Sequence, residues 1–181
     1  MTTGTKSLLF GAHCFFLHPF FVAWGWWRLF GFPWDPRLWC CFVFHDIGYW
    51  GMSSVEGPGS ERHVELGARL VGLLYGDTFA DECRRHSRQW CLRNGRPISR
   101  LCLADKMAFA LMPAFLYLPM ARRSGELAEY MARSVERECQ EPRGLTPNES
   151  AGLASGDPPT WLHALQSYTS RWVLRVQAGI Q

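Results

Sequence analysis

Helix punctuation constrains this chain more than any other feature of its sequence. His18-Pro19 opens an apolar stretch that Gly31 closes, and Asp35-Pro36 opens a second stretch that runs to Gly48. Proline is tolerated in the first turn of a helix, where its missing N–H has no partner to lose, and glycine ends helices by accepting backbone angles other residues resist. With Asp35 as N-cap, the spacing predicts a helix over residues 36–47, placing His45 and Asp46 in its last turn. Residues 48–60 (GYWGMSSVEGPGS) read as an irregular loop, with Ser60 able to cap the next helix.

The same signals continue down the chain. Val64, Leu66, Ala68, Leu70, Val71, Leu73 and Leu74 support a helix from Arg62 to Tyr75, ended by Gly76. Asp77 caps a helix running to about Arg93, ahead of the Asn94-Gly95 turn, with His86 and Trp90 sharing a face at i, i+4 spacing. Ser99 opens another, in which Asp105 falls on or near the apolar face. Pro113 and Pro119 break up the apolar stretch beyond it. Ser124 starts an amphipathic helix to about Cys139, and residues 140–159 read as a loop or linker with one helical turn after Pro147. A last helix, about Thr160 to Ala178, packs back on the core. No segment shows sustained strand alternation, so the expected fold is all-α, a single-domain helical bundle. Its helical core spans residues 1–139, its linker 140–159 and its terminal helix 160–181.

Composition narrows the class. With 181 residues, 48% hydrophobic and 19% charged, the chain is long and apolar enough to bury a core, which excludes disorder. A net charge of +3 is too mild to mark a nucleic-acid polymer as partner. The seven cysteines form no CxxC pair and read as buried thiols, which favours a reducing, cytoplasmic compartment. Residues 7–27 are long enough to cross a bilayer, but His13, His18 and Pro19 interrupt them, and polar groups at mid-membrane are costly. The aromatic run Phe15, Phe16, Phe20, Phe21, Trp24, Trp26 and Trp27 covers more than one helical face. Some of it must leave the core, to a homodimer interface, a lipid-like substrate channel or a peripheral membrane contact.

The chemistry resides in polar residues set among apolar helices. Burying such groups unpartnered costs roughly 2–7 kcal/mol each, so they satisfy one another, form hydrogen bonds or bind metal. The candidates are His18, His45, Asp46, His63, His86 and Asp105, and four imidazoles with two carboxylates suit borderline divalent ions.

The order His18, then His45-Asp46-Ile47-Gly48, then Asp105 within LADKM resembles the signature of the HD superfamily of metal-dependent phosphohydrolases, over roughly residues 13–112. The resemblance implies an HD-type helical fold and makes His18, His45, Asp46 and Asp105 the ligands of a first metal. Asp46 bridges to a second ion, for which His63 and His86 stand where dinuclear members place additional histidines. His13 competes with His18; the HPFFVAW context and the distance to the doublet favour His18.

The implied activity is hydrolysis of a phosphate mono- or diester with metal-activated water, using one or, by ligand count, two divalent ions (Mn, Fe, Co, Ni or Zn). The substrate expected is a small phosphate ester or a phospholipid-like molecule. The doublet is followed by GYWG, without the Lys and the GYP motif of many signalling phosphodiesterases, which argues against cyclic-dinucleotide hydrolysis. Asp46 holds metal, and Lys106 and Arg88, beside ligand segments, are the candidate phosphate-binding cations. Glu61 and Glu65 flank His63 as candidate proton shuttles. The superfamily also contains di-iron oxygenases with the same ligand count, which makes oxygen activation the alternative activity. A non-catalytic interaction module stabilised by metal is a second alternative.

Overall fold

The computed structural model describes residues 1–55, 59–140 and 144–179, and the side chains of residues 135–140 lie outside that description. All regular structure among the described residues is helical. The helices are α1 (Thr3–Phe10), α2 (His18–Phe30), α3 (Pro36–Phe44), α4 (His63–Tyr75), α5 (Asp77–Arg84), α6 (Arg88–Asn94), α7 (Arg100–Leu111), α8 (Ala114–Ser124), α9 (Glu126–Gln140), α10 (Pro147–Ala154) and α11 (Pro158–Gln177). Short 3-10 turns at Ile47–Tyr49 and Ser60–Arg62 lie between α3 and α4.

Local capping chemistry accounts for most boundaries. Asp35 accepts the Arg37 N–H at 2.9 Å, and Ser99 accepts the Cys102 N–H at 3.2 Å. Thr146 and Glu149 form a reciprocal capping box at the start of α10.

Tertiary contacts move several boundaries from their expected places. The helix begun at Pro36 stops at Phe44, so His45 and Asp46 lie past its end rather than in its last turn. The stretch from Asp77 is two helices, because the chain breaks at Arg85–Ser87. There the Arg85 guanidinium donates to the Pro97 and Ile98 carbonyls, and the Ser87 hydroxyl caps α6 by accepting from the Trp90 N–H. Pro119 sits inside α8 and does not break it. Both Pro119 and Phe115, whose carbonyl loses its helical donor, are exposed, so water can serve that carbonyl. Ser124 ends α8 instead of starting α9. The turn after Pro147 extends to a full eight-residue helix. Residues 141–143 of the expected linker lie outside the described residues.

The central core packs α2, α3, α4, α5 and α7 through Val22, Trp26, Phe42, Val71, Cys83 and Leu101. The α2–α7 contact is close because Gly25 lies against α7, where a Cβ would stand 2.4 Å from the Ala104 carbonyl oxygen. That approach aligns the helix beginning at His18 with the one carrying Asp105. A second cluster, built around the fully buried Trp161, joins α8, α9, α10 and α11, and Val173 seats α11 against Leu103 and Met107 of α7. Cys41, Cys83, Cys91 and Cys102 are buried free thiols, and Cys14 and Cys40 are half-buried and free.

Candidate metal centre

Six side chains meet where the first turn of α2, the end of α3, the start of α4, the α5–α6 break and the middle of α7 converge. His18 begins α2, His45 and Asp46 leave the end of α3, His63 begins α4, His86 projects from the break, and Asp105 lies one helical turn before Ala108 on the buried face of α7. All six are nearly inaccessible. Gly48 allows the convergence. Its Cα approaches α4 so closely that a Cβ there would stand 1.9 Å from the His63 carbonyl oxygen, which draws the doublet and His63 together.

The ligand atoms fall into two groups that share Asp46. His18, His45, Asp46 and Asp105 form one group, and Asp46, His63 and His86 the other; within each, the donor atoms lie within 4.8 Å of one another. Asp46 Oδ2 is 3.0 Å from His45 Nε2 and 3.4 Å from His18 Nε2. Its other oxygen, Oδ1, is 3.2 Å from His86 Nε2 and 3.6 Å from His63 Nε2. Asp105 Oδ1 completes the first group 3.0 Å from His18 Nε2.

Hydrogen bonding fixes which ring nitrogen faces inward. His45 Nδ1 donates to the carbonyls of Cys41 and Phe42 at 3.2 and 3.0 Å, His63 Nδ1 to Ser60 O at 2.5 Å, and His86 Nδ1 to Cys83 O at 2.5 Å. With the proton assigned to Nδ1, all three Nε2 atoms face the centre, and those of neutral His63 and His86 present lone pairs to it, as metal-binding histidines do. Burial, reinforced by the neighbouring His86, holds the His63 imidazole neutral, with its pKa lowered to about 3, and burial lowers that of His86 as well. The Nε2 atoms of His18 and His45 and Oδ2 of Asp46 are buried and make no hydrogen bond among the described residues, although the oxygen lies 3.4 and 3.0 Å from the two nitrogens. Convergent, unsatisfied nitrogen and carboxylate donors suit a divalent transition metal, and the divided contacts of Asp46 suit two.

The electrostatics favour cations. Burial raises the pKa of Asp46 and Asp105, yet His45 beside Asp46 and Lys106 beside Asp105 outweigh it, so both carboxyls titrate well below the ordinary range. Burial likewise opposes charge on His45, but the two carboxylates carry its pKa up to about 10. Lys106 Nζ donates to Asp105 Oδ2 at 2.7 Å, and its partly exposed side chain brings positive charge to the rim of the centre. Tyr49 stacks on the His63 ring with centroids 4.2 Å apart and planes nearly parallel, while Trp50 is exposed.

Other sequence candidates have different surroundings. The Arg88 guanidinium lies 4.4 Å above the ring of Trp172, and among the described residues it makes no hydrogen bond or ion pair with the six ligands. Glu61 pairs with Arg93, and Glu65 meets Arg84 at 3.3 Å and the Trp90 indole N–H at 3.2 Å. His13 stands beside the centre, its ring centroid 5.7 Å from that of His18, with its Nδ1 turned 3.1 Å from Glu126 Oε1.

Glu126 carries no mark in the sequence. Fully buried at the start of α9, it accepts from Ser7 at 2.6 Å, the Ala12 N–H at 2.9 Å and Ser124 at 2.5 Å, and so braces the segment carrying His13 behind the His/Asp cluster. Tyr130, one turn along α9, also donates to it at 3.2 Å, but Ser7, Ala12 and His13 lie more than one hundred residues away, and no local pattern announces them.

Comparison with protein-family models, curated protein sequences and solved structures finds no match to this chain.

Proposed function

We propose that this protein is an HD-type metal-dependent phosphohydrolase with a dinuclear centre. One observation carries the proposal: the two oxygens of Asp46 face separate donor sets, His18, His45 and Asp105 on one side and His63 and His86 on the other. Divalent ions held there supply Lewis acidity to a phosphate ester and bring the pKa of water towards about 7.

The chain's own residues supply the rest. His45, His63 and His86 are each clamped through Nδ1 to a main-chain carbonyl, so their Nε2 atoms are oriented towards the centre before any ligand arrives. Lys106 holds an ammonium at the rim. Burial alone would lower its pKa, and the contact with Asp105 reverses the shift, so it remains cationic where a phosphate would enter. Tyr49 holds the His63 ring by stacking and excludes water from its face.

The test is metal analysis of the purified protein together with a phosphate-release screen over nucleotides, sugar phosphates and phospholipid head groups, run with and without oxygen. About two transition-metal equivalents and oxygen-independent phosphate release are expected. Failure to retain Mn, Fe, Co, Ni or Zn would remove the proposal. Oxygen consumption by the iron-loaded protein, without phosphate release, would replace it with the oxygenase alternative.

A further inference from the structure

The metal centre leaves unexplained a band of exposed aromatic side chains on one side of the molecule. Phe16, Phe20, Trp24 and Trp27 follow one another at helical spacing along the outer face of α2 and the turn before it, and all are exposed. The band continues past the helix: Trp27 meets Phe32 at 6.0 Å between ring centroids, and Phe32 meets Trp34 at 4.5 Å. Trp34 is 83% exposed and Phe16 73%. An open apolar groove of about 370 Å³ runs between Phe20, Trp24, Trp27 and Phe32. Exposed aromatic area of this extent has a large driving force to leave water.

Three observations indicate what covers it. The first is charge. Residues 1–34 contain no Asp or Glu, and Arg28, one turn after Trp24 on the same face, is exposed and makes no ion pair among the described residues. The nearest acid in sequence, Asp35, is already held by Arg37 at 2.8 Å. The band is therefore apolar with a positive edge. A second copy of the chain fits it poorly, because a two-fold contact sets this surface against itself, and a band without Asp or Glu from Phe16 to Trp34 offers Arg28 no counter-charge.

The second is the state of the indoles. Trp39, Trp90 and Trp161 donate their N–H groups to Pro33 O, Glu65 and Ser134, whereas among the described residues those of Trp24, Trp27 and Trp34 have no acceptor within the protein. An apolar ring with a free N–H suits the boundary between acyl chains and head groups.

The third is length. The thirteen residues of α2 extend about 20 Å, short of the roughly 30 Å of a bilayer core. The opposite face of the helix, with Val22, Trp26 and Leu29, is committed to the protein interior. No single helix among the described residues is long and apolar enough to cross a membrane. The helix can lie along a bilayer without traversing it.

We propose that the α2 face, from Phe16 to Trp34, docks the protein on the surface of an anionic phospholipid bilayer. The aromatic rings enter the head-group boundary, and Arg28 meets the lipid phosphates. This attachment goes beyond the metal chemistry and stands whatever reaction the centre performs.

The test is co-flotation of the full-length protein with vesicles of equimolar phosphatidylglycerol and phosphatidylcholine, and with vesicles of phosphatidylcholine alone. The expected result is binding to the anionic vesicles, lowered about tenfold or more by the combined substitutions W24S, W27S and W34S, since each removes a large buried-on-binding apolar area. The Arg28→Glu variant should lose the preference for anionic vesicles. Circular dichroism and metal content, unchanged in the variants, separate surface effects from misfolding. Wild-type protein that stays unbound with both vesicle types overturns the proposal. So does binding that survives the triple substitution, or a concentration-dependent dimer that the triple substitution abolishes in protein that ignores vesicles.

Discussion

The Nε2 atoms of His63 and His86 stand 3.0 Å apart, although each ring donates its Nδ1 proton to a main-chain carbonyl. Two neutral imidazoles so protonated turn lone pairs towards each other, and Asp46 Oδ1 adds a third acceptor 3.2 Å from one and 3.6 Å from the other. Three acceptors aimed at one point repel unless a cation or a shared proton occupies it. Each ring is held in place by its own carbonyl, so rotation away is opposed, and the arrangement is one that could hold a metal ion.

Removing either imidazole should therefore empty one half of the centre. In His86→Ala, bound metal is expected to fall from about two equivalents to about one, with the group around His18 and Asp105 still loaded. Metal analysis after dialysis reads this directly. Retention of the full complement would show that His86 is not a ligand.

The metal-free protein should be most stable near pH 6.5. His63, at about 3, and His86 have folded-state pKa values below the ordinary 6.5, so the unfolded chain binds protons that the fold refuses, and stability drops as pH falls below about 6.5. His45 behaves oppositely. Its folded value of about 10 contributes stability that is complete below 6.5 and lost as pH rises towards 10. Thermal melts of chelator-treated protein from pH 5 to 10 should trace a dome, and a flat profile would contradict the assigned protonation states.

Gly48→Ala tests the approach of the doublet to α4. The added methyl would stand 1.9 Å from the His63 carbonyl oxygen, a contact with backbone that no side-chain rotation relieves. The expected loss is about 2–3 kcal/mol, or roughly 4–12 °C in melting temperature for a chain of this size. Metal affinity should weaken in parallel, because the displaced segments carry His45, Asp46 and His63. Unchanged melting and metal content would show that the two segments separate freely.

Lys106→Gln separates positive charge at the rim from metal binding. The six ligands remain, so metal content should stay near the wild-type value, while kcat/KM for a phosphate ester falls by about a hundredfold. A parallel loss of metal would instead make Lys106 a support for Asp105, whose Oδ2 it holds at 2.7 Å.

Helix starts and stops were legible in the sequence because they depend on neighbours. Asp35 caps the helix of Pro36, Ser99 that of Arg100, and Gly31, Gly76 and Gly95 follow helix ends, all through contacts a few residues long. The ligand candidates were legible for a related reason: imidazoles and carboxylates in apolar helices are too costly to bury without a shared purpose. The tertiary structure alone decided where these groups go. It ended α3 before His45, broke the chain at His86, laid Arg88 over Trp172, and gave Glu126 its partner Ser7, 119 positions earlier. Such contacts depend on how closely helices approach, as at Gly25 and Gly48, and a one-dimensional pattern does not contain distances between segments that meet only after folding.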